Sequence, residues 1–262
     1  MTPIYKPSGR ALEYSPDALA LNIYTGCPHR CFYCFAPTVL KQDREKFHTC
    51  VEPRKDIIDA VKRQLKRGYL DYKIPYTDEN GNKGTYKSRT SLYNKLIHLC
   101  FTCDPYPTGY DSSATRAIIG AIKASGNHVQ ILTKGKDAER DFDLLDSNDW
   151  FGVTYTGGMN GIGCKNDYEP DAVPDCDRLM MLSKAKEKGI NTWVSCEPVI
   201  DIAGISGIIV HQDFIDLYRI GKLNYHKSDI NWGDFGRECV RLCKKFNRNY
   251  YIKHDLRKEM EK

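Results

Sequence analysis

No apolar run in this chain approaches the ~20 residues needed to cross a bilayer. Its first residues lack the basic region, apolar stretch and small-residue cleavage site of a secretory signal. A protein without membrane contact is therefore expected, with a cytoplasmic location. The signatures of several enzyme classes are also missing. There is no phosphate loop ending in Gly-Lys-Ser/Thr, no G-x-S-x-G element and no Ser-His-Asp spacing. The glycine-rich run 157–163 carries no lysine in the phosphate-loop position and reads as a loop beside a site. Composition is otherwise ordinary for a globular protein, with 41% hydrophobic and 28% charged residues.

Cysteine is not scarce: there are 11, an odd number in a long chain. Secreted disulfide scaffolds are short and cysteine-dense, so a reducing compartment suits this chain better. The net charge of +5 permits a polyanionic partner without requiring one.

Periodicity points to an α/β protein. Leu19 to Tyr24 form a mostly apolar run that suits a strand covered on both faces. A helix is expected over 53–67, where Ile57, Ile58, Val61 and Leu65 share one stripe opposite a basic face. Further strands are expected at 96–101, 129–133, 151–155, 192–196 and 250–252. Helices are expected over 112–125, 137–145, 176–188 and 235–246. Residues 214–220 read as a helix end entering a strand, and residues 1–18, with their prolines, as a surface wrap. The segment 69–93 breaks the rhythm and reads as a hairpin insertion turning at Asn80-Gly81. Strands alternating with helices imply parallel βα units in a single domain over 1–262. The expected architecture is a partial (βα)6 barrel with its site at the C-terminal ends of the strands.

The densest chemistry lies in Thr25-Gly26-Cys27-Pro28-His29-Arg30-Cys31-Phe32-Tyr33-Cys34-Phe35. Three thiolates without an obvious fourth partner suit an iron–sulfur cluster with one open iron. Structural zinc favours four ligands in two separated pairs. His29 sits awkwardly between ligands, and Cys50 has no paired partner. The order Cys-x3-Cys-x2-Cys-aromatic resembles the signature of the radical S-adenosylmethionine superfamily. Within it the chain looks most like the spore photoproduct lyase-like branch. Further matching elements are Asp104-Pro105-Tyr106, Leu132-Thr133-Lys134 and Ile220-Gly221-Lys222-Leu223-Asn224.

The resemblance implies a radical-SAM-type barrel and a [4Fe–4S] cluster on Cys27, Cys31 and Cys34. It also implies S-adenosylmethionine as cofactor, and a reductant such as flavodoxin or ferredoxin. Around that cofactor the expected residues are Thr102, Asp104, Lys134, Thr154, Ser195 and Glu197, each at or just after a strand end. Asp104 also reads as a turn starter before Pro105, and Lys134 as a solvent-facing residue.

Photoproduct lyases of this branch return a hydrogen atom from a cysteine in a Cys-Thr-Ser-Asp segment. Here Phe101-Thr102-Cys103-Asp104 displaces the cysteine. That departure puts photoproduct repair in doubt and leaves Cys103, or Cys100, as the candidate thiol donor. Packing is the alternative role for such a cysteine. Cys164 and Cys176 are the remaining candidates for a second cluster.

Basic residues gather at Lys62, Arg63, Lys66 and Arg67, and again at Arg237, Arg241, Lys244, Lys245 and Arg248. The insertion mixes Tyr69, Tyr72, Tyr76, Tyr86 and Tyr93 with Lys73, Lys83, Lys87 and Arg89, a pattern that can stack bases and hold phosphates. The expected substrate is a nucleic-acid base or nucleotide. Peptide or small-metabolite modification is the second reading, and a zinc-stabilised nucleic-acid-binding protein without turnover the third.

Overall fold

The computed structural model describes residues 2–14, 16–158 and 167–262. Seven strands form one parallel sheet, and a separate pair forms a hairpin. The sheet strands are β1 (Ala20–Leu21), β4 (Leu96–Leu99), β5 (His128–Thr133), β6 (Trp150–Thr154), β7 (Asn191–Cys196), β8 (Leu217–Ile220) and β9 (Tyr250–Ile252). They lie side by side in chain order, without a reversal. Right-handed crossovers that never change direction put the connecting helices on one face.

That face is apolar. Ile97, Leu99, Val129, Ile131, Phe151, Val153, Val194, Tyr218 and Ile220 form a continuous core with the helices. The partners are α3 (Ile57–Arg67), α4 (Ser113–Ala124), α5 (Asp175–Glu187), α6 (Ile202–His211) and α7 (Trp232–Lys245). Representative helix residues in this core are Val61, Ile118, Leu182, Ile208 and Leu242. The alternate residues of the same strands point the other way and differ in kind. They are His98, Gln130, Trp193, Ser195 and Arg219, all buried. A period of two thus separates an oily face from a polar and aromatic one.

Several sequence expectations need correction. Residues 9–14 do lie at the surface, with none of Gly9–Glu13 buried, but they carry a helical turn that the sequence did not signal. A 3-10 turn over Gly9–Glu13 runs against the polar face, where the Glu13 carbonyl accepts from Arg219. The Tyr14 ring sits 6.0–6.1 Å from those of His98, Phe101 and Trp193. Polar side chains on that face give the segment hydrogen-bond partners that a helix could not use.

The strand expected from residue 19 to 24 shortens to Ala20–Leu21, because Tyr24 turns away to bridge Pro53. The helix expected from 53 begins only at Ile57. The segment 137–145 is a 3-10 helix over Asp137–Leu144. No helix end enters β8; a full helix, α6, precedes it, and α8 (His254–Met260) follows β9. The short helices α1 (Ala36–Leu40) and α2 (Arg44–Thr49) follow the cysteine loop. The insertion is a long hairpin of β2 (Tyr69–Thr77) and β3 (Lys83–Ser91). No helix of the described residues is long and apolar enough to span a membrane.

His98 gives the polar face a pH signature. It is fully buried, and neither ring nitrogen has a hydrogen-bond partner among the described residues. Burial, aided by the Arg219 charge, lowers its pKa to about 3. Between its ordinary value near 6.5 and 3, the unfolded chain takes up a proton that the folded chain refuses. Stability is therefore complete above that window and falls with acid, by up to about 1.4 kcal/mol per pH unit. His98→Gln should flatten this slope: its melting temperature should fall less than that of the wild type from pH 6.5 to 4.5. Parallel curves would count against a neutral buried imidazole.

Candidate functional site

The cysteine loop leaves the C-terminal end of β1 and is held from several sides. Thr25 N–H donates to Glu52 O at 2.9 Å and Cys27 N–H to Phe47 O at 3.1 Å. Gly26 is needed here, since a Cβ would collide with the Phe47 carbonyl oxygen. Arg44 donates to Cys34 O at 2.8 Å and to Cys31 O at 3.4 Å. His48 Nδ1 lies 2.7 Å from Cys27 O. Helix α2 thus fixes the loop through its backbone groups. All three cysteines are free; Cys31 is buried and the others half-buried. Burial is the main cause that raises the Cys27 thiol and pushes Cys31 up to about 12, with Lys134 pulling both down.

The three sulfurs are not gathered to one point, because no group containing them has all its ligand atoms within 4.8 Å. A tetrahedral zinc with Zn–S bonds near 2.3 Å would hold its sulfurs about 3.8 Å apart. As placed, the sulfurs do not close on one zinc ion, and three thiols are a donor set that an iron–sulfur cluster can take.

Asp104, just after β4, is spoken for. It accepts from Thr133 Oγ1 at 2.5 Å, Lys134 N–H at 2.8 Å and Tyr106 N–H at 2.8 Å, and His29 Nδ1 lies 3.5 Å away. It ties the ends of β4 and β5 to the cysteine loop. His29 also meets Thr108 at 3.1 Å. The turn reading of Asp104 is seen here, and the same carboxylate also holds the Lys134 amide. The Lys134 ammonium lies 5.7 Å from the Tyr33 ring centre on a half-buried residue, and its charge acts on Cys27 and Cys31. Thr102 Oγ1 is buried without a hydrogen-bond partner among the described residues.

The polar neighbours of the loop extend to residues that sequence reading missed. Tyr33 donates to Glu169. Glu169 is bound by Arg178 at 2.5 Å, which also meets Asp175 at 3.0 Å. Arg178 further donates to Thr154 O at 2.9 Å, which brings Thr154 into this group. Burial raises the Glu169 carboxyl to about 7, although Arg178 opposes the shift. No spacing rule links Tyr33 to Glu169; the two are 136 positions apart.

Ser195 and Glu197 have other company. Tyr14 donates to Glu197 at 2.6 Å and lies 3.1 Å from Ser195 Oγ. Glu197 also accepts from Arg10 at 3.0 Å, Asn224 at 3.0 Å and buried Lys253. The structure thus places Ser195 and Glu197 with the N-terminal segment, while Asp104, Lys134 and Thr154 gather by the cysteine loop. Cys103 is half-buried and its sulfur accepts from Tyr24 N–H at 3.4 Å. Cys164 lies outside the described residues, as does most of the run 157–163.

A surface depression of about 500 Å³ flanks the loop, lined by Pro28, Arg30, His48, Thr108 and Asp171, but by none of the three thiols. Two of the five residues of the second basic group pair with acids, Arg237 with Asp234 and Arg241 with Glu238. The first stays exposed on α3. Beside it the hairpin shows Tyr76 and Tyr86 about half-exposed, with Lys73 directly opposite Lys87.

No protein-family model matches the chain. An uncharacterized protein of Mycobacterium tuberculosis is 31% identical over 204 residues, covering 72% of this chain and 54% of its own. An uncharacterized protein of Acidianus two-tailed virus is 30% identical over 207 residues, covering 75% of this chain and 63% of its own. One of Methanocaldococcus jannaschii is 24% identical over 212 residues, covering 79% of this chain and 71% of its own. The chain spans about half the length of the mycobacterial relative and under two thirds of the viral one.

Proposed function

We propose that this chain is a radical S-adenosylmethionine enzyme of the spore photoproduct lyase-like branch, with Cys27, Cys31 and Cys34 as anchors of a [4Fe–4S] cluster. The observation that carries this reading is three free cysteines crowded on one hydrogen-bonded loop, with their sulfurs set apart rather than drawn to one point. The chain-order parallel sheet supports a partial (βα)6 barrel of the radical SAM type, with the polar face as its interior. When bound, the cluster and S-adenosylmethionine together supply a 5′-deoxyadenosyl radical that takes a hydrogen atom from the substrate.

The chain's own residues bind and orient. Lys134 offsets the negative charge that three thiolates bring into a buried loop. Asp104 holds Lys134 in place. Buried Thr102 Oγ1 offers an unspent acceptor to an ammonium group. Thr154 is fixed by Arg178, and Ser195 and Glu197 bound the other end of the polar face. Cys103 is the candidate donor of a hydrogen atom to the product radical. The half-exposed tyrosines and paired lysines of the hairpin favour a nucleic-acid base or nucleotide as substrate. The electron would come from a flavodoxin- or ferredoxin-type donor.

The test is anaerobic reconstitution with iron and sulfide, followed by dithionite and S-adenosylmethionine in the presence of oligonucleotides or peptides. Bound iron and sulfide with release of 5′-deoxyadenosine are expected, stimulated by oligonucleotide. Zinc alone, or iron without 5′-deoxyadenosine under any substrate, would overturn the reading. Stimulation by peptide only would move the substrate class.

A further inference from the structure

Cys100 and Cys103 lie three positions apart at the C-terminal end of β4, and their loop is unusually well fastened. Cys100 N–H donates to Leu21 O at 2.8 Å. The next two amides, Phe101 N–H and Thr102 N–H, both donate to Asn22 Oδ1, at 2.8 and 3.0 Å. Cys100 itself has φ of 69°, a left-handed conformation that a residue other than glycine adopts at some cost. The fastened turn sets the two side chains near each other, and each thiol acts on the other electrostatically.

The two sulfurs are unlike. Cys100 is 5% exposed, whereas Cys103 is half-buried. Cys103 Sγ also accepts from Tyr24 N–H, and the Arg54 charge acts on it. Arg54 Nε is itself buried without a hydrogen-bond partner among the described residues. Burial would raise the Cys103 thiol, but Cys100, the Tyr24 and Ile23 amides and Arg54 bring it below the ordinary value. Burial and its place beside Cys103 raise Cys100. A half-buried, charge-stabilised sulfur near a more deeply buried, protonated one is the asymmetry of an exchanging dithiol.

We propose that Cys100 and Cys103 form a reversible dithiol–disulfide couple that exchanges with small disulfides of the glutathione type. The Cys103 thiolate attacks one sulfur of the external disulfide and displaces a first thiolate, leaving a mixed disulfide. Cys100 gives up its proton and attacks Cys103 Sγ, forming the internal S–S bond and displacing a second thiolate. Two electrons pass from the pair to the external disulfide, and the two protons end on the released thiols. This assignment rests on the turn alone and holds whether or not the loop at Cys27 binds a cluster. In a radical enzyme its consequence would be a thiol donor that is absent in the oxidised form.

The pair can be read directly in the full chain. Trypsin cleavage after Lys95 and Arg116 gives a peptide, 96–116, whose only cysteines are Cys100 and Cys103. Reduced protein would be equilibrated anaerobically with mixtures of reduced and oxidised glutathione, acid-quenched, alkylated and mapped by mass. The expected result is a peptide two hydrogens lighter than the dithiol, carrying no alkyl label, and regaining two labels after dithiothreitol. Because the second thiol acts at a high effective concentration, this should need at least about tenfold less oxidised glutathione than adduct formation at the exposed, solitary Cys50. In Cys100→Ser the internal bond is impossible, and Cys103 should carry a glutathione adduct instead. Two alkyl labels on wild-type 96–116 at concentrations that modify Cys50 would overturn the couple. So would a glutathione adduct in place of the internal bond, or cross-linking of 96–116 to the Cys27 loop.

Discussion

Cys31→Ala should leave the fold intact and abolish the chemistry. Cys31 is the most buried of the three loop cysteines at 6% exposure, and its side chain carries none of the hydrogen bonds described for the loop; these run through its carbonyl. Truncation to Ala therefore removes one sulfur and little else. Replacing residues that merely support a metal ligand costs about 10–100-fold in affinity or activity. Loss of a ligand should exceed that, so 5′-deoxyadenosine release should fall by more than about a hundredfold. Iron and sulfide content should drop with it, while the far-ultraviolet circular dichroism stays that of the wild type. Unchanged iron loading and turnover in the folded variant would remove Cys31 from the site, and with it the reading built on all three.

The second large effect is on stability. Arg178→Met should lower it by about 3–5 kcal/mol, the cost of leaving buried charges without their countercharge. Arg178 is fully buried and serves Glu169, Asp175 and the carbonyls of Val173 and Thr154 together. A chain of this size loses roughly 2–4 °C per kcal/mol, so a fall of roughly 6–20 °C is expected. The loss should also depend on pH. The Glu169 carboxyl is already raised to about 7 by burial in the presence of Arg178. Without the guanidinium it should be raised further. A carboxyl whose folded pKa exceeds its unfolded value of about 4.5 binds more protons folded than unfolded between the two, so stability falls as pH rises through that window. The variant should therefore be hurt more at pH 8.5 than at pH 6, by thermal unfolding in both buffers. An equal loss at both pH values would mean that Glu169 does not titrate there.

The parallel strands and most helices were legible because their apolar residues recur with periods of 2 and 3.6, signals that need no distant partner. Val129 to Thr133 and Tyr250 to Ile252 appear almost where their patterns put them. Helix α6 escaped notice because Ile202–His211 is apolar nearly all round, with no polar stripe to give it a period. The 3-10 helix at Asp137–Leu144 differs from an α-helix in hydrogen-bond register, which side-chain spacing over two turns does not distinguish.

The site divided in the same way. Local order in the chain settled which sulfurs share a loop, since Cys27, Cys31 and Cys34 are neighbours whatever the fold. It also placed polar residues at strand ends, because a strand stops where its apolar alternation stops. Folding alone decided what those residues face. It committed Asp104 to Thr133 and Lys134, joined Tyr33 to Arg178 through Glu169, and laid Tyr14 across the sheet onto Ser195 and Glu197. Hydrogen bonds and ion pairs act over about 3 Å in space and carry no imprint of separation along the chain. Partners more than a hundred residues apart therefore leave no pattern in the sequence, and only the assembled sheet brings them together.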